Sequence, residues 1–245
     1  MFSFPLGFLI SRTLLDSKGM LILVLLGLAM PGSIVYGDSA AKLAVDKLEL
    51  RYRAARVLKA TFLERYSENG RLVRSEAGTA YFRRPGKMRW EYATPEKNLF
   101  LVDGRTAWFY VPEDHTVTRV PAKESSDWRT PIALLAGEMK LSRVCSRVGI
   151  AQGKPPEQQN DVMLSCSLRG ENSAGAEEAV FLEVTRDTGD LVAVLVQDKG
   201  GVSIDFKFAN WQFDPPVPDS FFRFDVPRGV AIVNGEARLG SGNSQ

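Results

Sequence analysis

Turn dipeptides fall between alternating apolar runs along much of this chain, and that spacing constrains the fold more than any other feature. From Val57 to Val120 the sequence reads VLKATFLERYS, a turn at ENGR, LVRSEAGTAYFRR, a break at PG, KMRWEYAT, a break at PE, NLFLV, a turn at DGR, TAWFYV, a turn at PEDH, and TVTRV. Asn-Gly and Asp-Gly between such runs are strong hairpin signals, because the favoured two-residue turns need positive φ. Sequence neighbours are therefore expected to pair as an antiparallel meander.

Two segments break the pattern. DSAAKLAVDKLELRYR (38–53) has Asp38 or Ser39 as an N-cap and Leu43, Ala44, Val45 and Leu48 at helical intervals, which predicts an amphipathic helix. SSDWRTPIALLAGEMKL (125–141) combines capping residues, an early Pro131 and Ile132, Leu134, Leu135 and Met139, and predicts a short helix or a pair of turns. Further strands are expected near 141–150, 161–168, 178–186, 191–198, 202–210 and 221–226. The 245 residues allow one large all-β domain. Some ten or eleven antiparallel strands without a linker predict a mainly β fold with short helices: one curved sheet, an unclosed barrel, with the helices covering its open side.

The N-terminus reads differently. Arg12 and Lys18 precede the apolar run MLILVLLGLAM (20–30), and PGSIVYG follows, with Val35 and Gly37 at the recognition positions of a cleavage site. That is the layout of a signal peptide over residues 1–37. An uncleaved anchor is the alternative, although Pro31-Gly32 interrupts the run short of the roughly 20 residues a spanning helix needs. No cysteine lies near the cleavage point for lipid attachment. The mature domain is expected over 38–236, exported and soluble, with 237–245 as a flexible tail.

Charge argues against nucleic acid. Residues 1–37 hold two of the chain's 31 basic groups and one of its 29 acidic groups, so the remainder carries a net charge of +1, whereas a phosphate-backbone binder shows a concentrated basic excess. The single histidine, His115, lies in a turn beside Asp114. No nucleophile elbow, phosphate-binding glycine loop or metal-spaced cluster is present. Neither a catalytic group, a metal nor a cofactor is expected.

Cys145 and Cys166 both fall mid-strand, equidistant from the polar connection 151–161. In an antiparallel hairpin that symmetry would set them opposite one another, and export permits a disulfide. Two buried free thiols are the alternative.

Apolar surplus points to function. In KMRWEY, alternation puts Met88, Trp90 and Tyr92 on one face and Lys87, Arg89 and Glu91 on the other. Phe62 with Leu58 does the same on the first strand. On a later one either Trp108 and Tyr110, or Ala107 and Phe109, face inward. A barrel of this many strands encloses more space than one layer of side chains fills. Aromatics and an adaptable methionine suit a ligand with variable greasy chains, although an ordinary sandwich core gives the same pattern. Arg84 precedes Pro85, which places it at a strand end. From there its donors can reach the backbone carbonyls of a covering helix.

RRPGKMRWEYATPEKNLFLVDGRTAWFYVPEDHTVTRV, DWRTPIALLAG and FRFDVPRGVAIV together resemble the LolA family, periplasmic carriers of outer-membrane lipoproteins. The likeness covers about residues 40–235 and lies in the order and spacing of the elements. It implies an unclosed β-barrel under an α-helical lid. Such a carrier takes lipoprotein acyl chains from an inner-membrane ABC transporter and passes them to an outer-membrane receptor. In that reading Arg84, with Pro85, forms the lid latch, Met88 and Trp90 match apolar positions on the strand after it, and Ile132, Leu134 and Leu135 belong to the lid; strand alternation adds Phe62, Tyr92, Trp108 and Tyr110 to the expected acyl cavity. The protein is then a periplasmic monomer without nucleic-acid partners. Met88 departs from a bulkier aromatic, the cysteines are not a family hallmark, and 151–160 lengthens one hairpin. The competing readings are a lipid or glycolipid sensor on the same architecture, and an exported hydrolase marked by facing carboxylates in its cavity.

Overall fold

The computed structural model describes residues 39–122, 135–136, 140–168 and 179–234. Helix α1 (Ser39–Arg53) is followed by β1 (Val57–Glu68), β2 (Arg71–Arg83), β3 (Lys87–Thr94), β4 (Leu99–Val102), β5 (Thr106–Val111) and β6 (Thr116–Pro121). Then come a single-turn helix α2 (Leu141–Val144), β7 (Cys145–Ile150), β8 (Asp161–Leu168), β9 (Ala179–Thr185), β10 (Leu191–Gln197), β11 (Val202–Phe213) and β12 (Ala231–Asn234). The twelve strands form one open sheet in the order β12-β6-β5-β4-β3-β2-β1-β11-β10-β9-β8-β7. Both halves are meanders, joined where β11 returns to pair with β1.

The sheet curls. Trp90 on β3 and Phe206 on β11 lie three strands apart, about 14 Å in a flat sheet, yet their ring centroids are 5.5 Å apart. Inward side chains of distant strands therefore share one core, and α1 packs into the same concavity over β7, β8 and β9. Tyr52 fixes the helix there: its hydroxyl accepts the Leu191 N–H at 2.9 Å, while its ring meets Trp211 at 5.0 Å. Burial pushes the Tyr52 phenol upward, so it stays protonated.

Four expectations need correction. On α1 the buried stripe is Ala41, Ala44, Leu48 and Tyr52, and Leu43 is 56% exposed, because the helix packs on the face centred on Leu48. The first residues of the expected strand 141–150 form α2; Leu141 is buried there, with its N–H donating to Glu49 Oε1 of α1 at 2.8 Å. Residues 221–226 form no strand: 219–222 is a 3₁₀ turn, since the strands beneath it already have a partner on each side. This segment instead runs across the convex face as a strap. Arg89 donates to the Phe221 carbonyl at 3.0 Å and covers its ring, Arg83 binds Asp219 and the Val217 carbonyl, and Phe224 meets Trp108 and Tyr110 at 5.4 and 5.6 Å. The strap delivers the chain to the far edge, where β12 pairs with β6 in parallel, the one departure from an antiparallel sheet among the described strands.

The expected signal peptide and C-terminal tail lie outside the described residues, as do Ile132 and Leu134. Of the lid segment, Leu135 is described and buried.

Candidate functional site

The inward residues of β1 to β6 form a continuous apolar wall. Register sets Leu58, Phe82, Met88, Val102, Ala107 and Val120 in one row across the strands. Ala60, Ala80, Trp90, Phe100 and Phe109 form the next, and Phe62, Gly78 and Tyr92 a third. Phe62 meets Trp90 at 4.7 Å and Tyr92 at 5.1 Å, both edge to face. Between Phe62 and Tyr92 stands Gly78, where a Cβ would fall 2.0 Å from the Glu91 carbonyl oxygen. Any larger residue there would separate β2 from β3 and the two rings from each other.

Trp108 and Tyr110 do not join this wall. Trp108 is the register partner of Leu101 and Tyr110 of Leu99, on the convex face, where both pack against Phe224. The Trp108 indole N–H donates to Asp103 at 3.2 Å. Ala107 and Phe109 are the inward pair. TAWFYV has no polar residue after its first to mark a solvent side, so alternation alone left both phases open. Phe82, Phe100, Phe206 and Phe208 are wall residues that the sequence reading passed over; the alternation of YFR, NLFLV and DFKF carries the signal.

Arg84 closes one corner of the wall. Its Nη1 donates to the carbonyls of Arg53 and Ala55 at 2.7 and 2.6 Å, at the end of α1. Its backbone N–H donates to the Arg56 carbonyl at 3.0 Å, and the Arg84–Pro85 peptide is cis. Arg84 thus contacts the end of α1, and at the same corner the Gly86 N–H donates to the Ala136 carbonyl at 2.8 Å. Nε and Nη2 of Arg84 are buried with no hydrogen-bond partner. Burial pulls the guanidinium below its ordinary range, and the Asp214 carboxylate opposes that shift. A cleft of about 680 Å³ opens here, lined by Arg56, Arg83, Arg84, Lys87 and Asp214 among others.

Cys145 and Cys166 are joined by a disulfide with Cα atoms 5.5 Å apart. They are not direct register partners: Cys166 faces Val148 and Cys145 faces Leu168, with an irregularity between Cys145 and Arg147. The bond spans that offset and fastens the end of α2 to β8.

Carboxylates are sparse on the concave side. Glu64 and its register partner Glu76 sit at one end of the wall; Glu64 accepts the Tyr92 hydroxyl at 2.7 Å, and Glu76 is ion-paired with Arg74 at 2.9 Å. Among the described residues, no group of three or more His, Cys, Asp or Glu could hold a metal, and no helix is long and apolar enough to cross a membrane. His115 lies exposed in the β5–β6 turn.

The open, mainly β sheet of twelve strands agrees with the unclosed barrel that the sequence resemblance implied. The family model described as outer membrane lipoprotein carrier protein LolA matches residues 53–225. The chain belongs to the LolA family. Its relatives include the outer-membrane lipoprotein carrier protein of Dechloromonas aromatica, 30% identical over 78% of this chain and 87% of the relative. That of Chromobacterium violaceum is also 30% identical, over 79% and 88%. Among solved structures, an uncharacterized conserved protein from Thermus thermophilus shares the fold at 14% identity, with a TM-score of 0.50 and coverage of 80% of this chain and 99% of the other. A LolA superfamily protein from Nitrosomonas europaea aligns at 10% identity and a TM-score of 0.43, covering 75% and 97%.

Proposed function

We propose that this LolA family member is a periplasmic carrier that shelters the acyl chains of lipoproteins on their way to the outer membrane. The observation that carries the reading is the apolar wall of Phe62, Met88, Trp90, Tyr92, Phe100 and Phe109, which has the chemistry of hydrocarbon rather than of a polar substrate. Two relatives named as outer-membrane lipoprotein carriers match over most of their length and supply the cargo class. An exposed chain costs about 0.8 kcal/mol per CH₂, so a soluble shuttle has to cover it and must still release it.

In this reading the lipoprotein arrives from an inner-membrane ABC transporter and leaves to an outer-membrane receptor that binds acyl chains more tightly. Residues 125–141, with Ile132, Leu134 and Leu135, act as the lid. Arg84 and Pro85 form the latch, held by hydrogen bonds individually weak enough to open. The disulfide suits an oxidising compartment and supports the assignment of residues 1–37 as an export signal.

The test is to mix the purified protein with spheroplasts that hold newly made outer-membrane lipoproteins. Lipoproteins should appear in the soluble fraction bound to it. No release, beside a working carrier from a related species, would shift the reading to a lipid-binding sensor on the same architecture.

A further inference from the structure

The corner at Arg84 carries positive charge that the fold leaves unmatched. Among the described residues, the cleft of about 680 Å³ there is lined by four cations, Arg56, Arg83, Arg84 and Lys87, and two carboxylates, Asp214 and Asp219, an excess of two positive charges. Both carboxylates are already engaged. Asp214 accepts the backbone N–H groups of Arg56 and Val57 at 2.7 and 3.0 Å, and Asp219 takes Nη1 of Arg83. Arg83 spends its other terminal nitrogen on the Val217 carbonyl, and its Nε is buried without a partner. Arg84 gives Nη1 to two neutral carbonyls and leaves Nε and Nη2 unpaired. Among the described residues, the side chains of Arg56 and Lys87 enter no hydrogen bond or ion pair.

A buried donor on a charged group is costly to leave unpaired. In a guanidinium, Nε and the terminal nitrogen beside it form an edge whose two parallel N–H bonds match two oxygens of an oxyanion. In Arg84 that edge is Nε with Nη2, the part left over once Nη1 has tied down the end of α1. Arg56 just before β1 and Lys87 at the start of β3 bring two more charges to the same cleft. A phosphate monoester, with up to two negative charges and three acceptor oxygens, neutralises that excess, which one carboxylate does not. We propose that this cleft is a phosphate-binding site, for a phosphate borne by a lipid headgroup or free in solution, held by Arg56, Lys87 and the Nε–Nη2 edge of Arg84. Because that edge is buried, the exposed Arg56 and the half-buried Lys87 meet the anion first, and Arg84 turns toward it. The inference does not depend on what the apolar wall carries.

The test is calorimetric titration of the purified protein at low ionic strength with inorganic phosphate and with dihexanoyl phosphatidic acid. Dihexanoyl phosphatidylcholine, whose phosphate is matched by its own cation, is the control. Phosphate should bind, and Lys87→Gln and Arg56→Gln should each weaken it about ten-fold, the loss of one hydrogen bond to a charged group. Neither side chain holds the fold together, so both variants should stay folded. Arg71→Gln, which removes an exposed charge at the start of β2, should change the affinity little. Tighter binding of phosphatidic acid than of inorganic phosphate supports the site with a lipid headgroup as its source; equal binding supports it with the free anion. The site is overturned if neither phosphate probe binds, or if phosphatidylcholine binds as well as phosphatidic acid. It is equally overturned if Lys87→Gln and Arg56→Gln lose no more than Arg71→Gln. Each of these failures leaves the carrier reading standing, because the spheroplast release assay tests that reading separately.

Discussion

Arg84 and Ala55 share a hydrogen bond of 2.6 Å that ties the end of α1 to the corner between β2 and β3. The same nitrogen also holds the Arg53 carbonyl, so one side chain satisfies two acceptors that the helix end leaves open. The end of α1 and the β2–β3 corner are therefore joined through one guanidinium.

Arg84→Leu should lower stability by about 2 kcal/mol, since hydrogen bonds to charged groups contribute about 1.5–3 kcal/mol and this corner is partly solvated. Chemical denaturation gives the number. Hydrogen exchange at 53–56 should rise in parallel, and transfer of bound lipoprotein to an acceptor membrane should be impaired. Unaltered release kinetics would remove the latch role and leave a helix anchor. Arg84→Lys should fall between the two, because a single ammonium lacks the fork that spans both carbonyls.

The two faces of β5 give a sharper test of the wall. Phe109→Ala should weaken acyl binding, whereas Trp108→Ala should leave it unchanged and loosen the strap, visible as faster exchange at 231–234. Equal effects on binding from both would contradict the face assignment. This is also where the sequence was least informative. KMRWEY announces its inward face because charged residues alternate with rings, but TAWFYV is apolar from its second residue to its last. Its phase comes from the pairing of Leu99 with Tyr110 and Phe100 with Phe109, which brings Phe109 into line with Trp90.

Replacing Cys145 and Cys166 by serine should cost about 3 kcal/mol, the closure entropy of a loop of this size. Denaturant midpoints with and without reductant measure it: the wild type should fall to the level of the double variant, which should not respond to reductant. A wild type insensitive to reductant would mean that the bond contributes nothing to stability. The sequence foresaw the pair from its symmetry about the connecting loop. The irregularity after Cys145, which offsets the two cysteines in register, carries no residue signature that alternation could reveal.

Asp161 and Glu183 provide a pH dependence. Burial raises the pKa of both carboxyls, and in Glu183 the N–H groups of Gln158 and Glu157 oppose the rise while Asp161 and Glu157 add to it. With a raised folded pKa, the native state holds its proton longer than the unfolded chain. These groups therefore cost stability as pH climbs from the unfolded value, about 4, through the folded one. Asp161→Asn should gain on the wild type over that interval and hold its advantage at neutral pH. Thermal melts of the two proteins across the range check the sign, and parallel curves would refute it.

The sequence by itself determined the strands and most of their inward residues. Turn chemistry at Asn69-Gly70 and Asp103-Gly104 fixed where the chain reverses, and two-residue alternation fixed the faces of Met88, Trp90, Tyr92 and Phe62. Those are local properties, set by φ preference and pleat geometry. Only the tertiary structure decided the phase of β5, the contact of Arg84 with α1, the strap over the convex face and the parallel pairing of β12 with β6. Each depends on which distant surfaces come together: the aromatics of 221–224 found a convex face of arginines and rings already paired on both edges. That outcome is settled by packing and hydrogen-bond satisfaction over the whole sheet, which no short window of residues encodes.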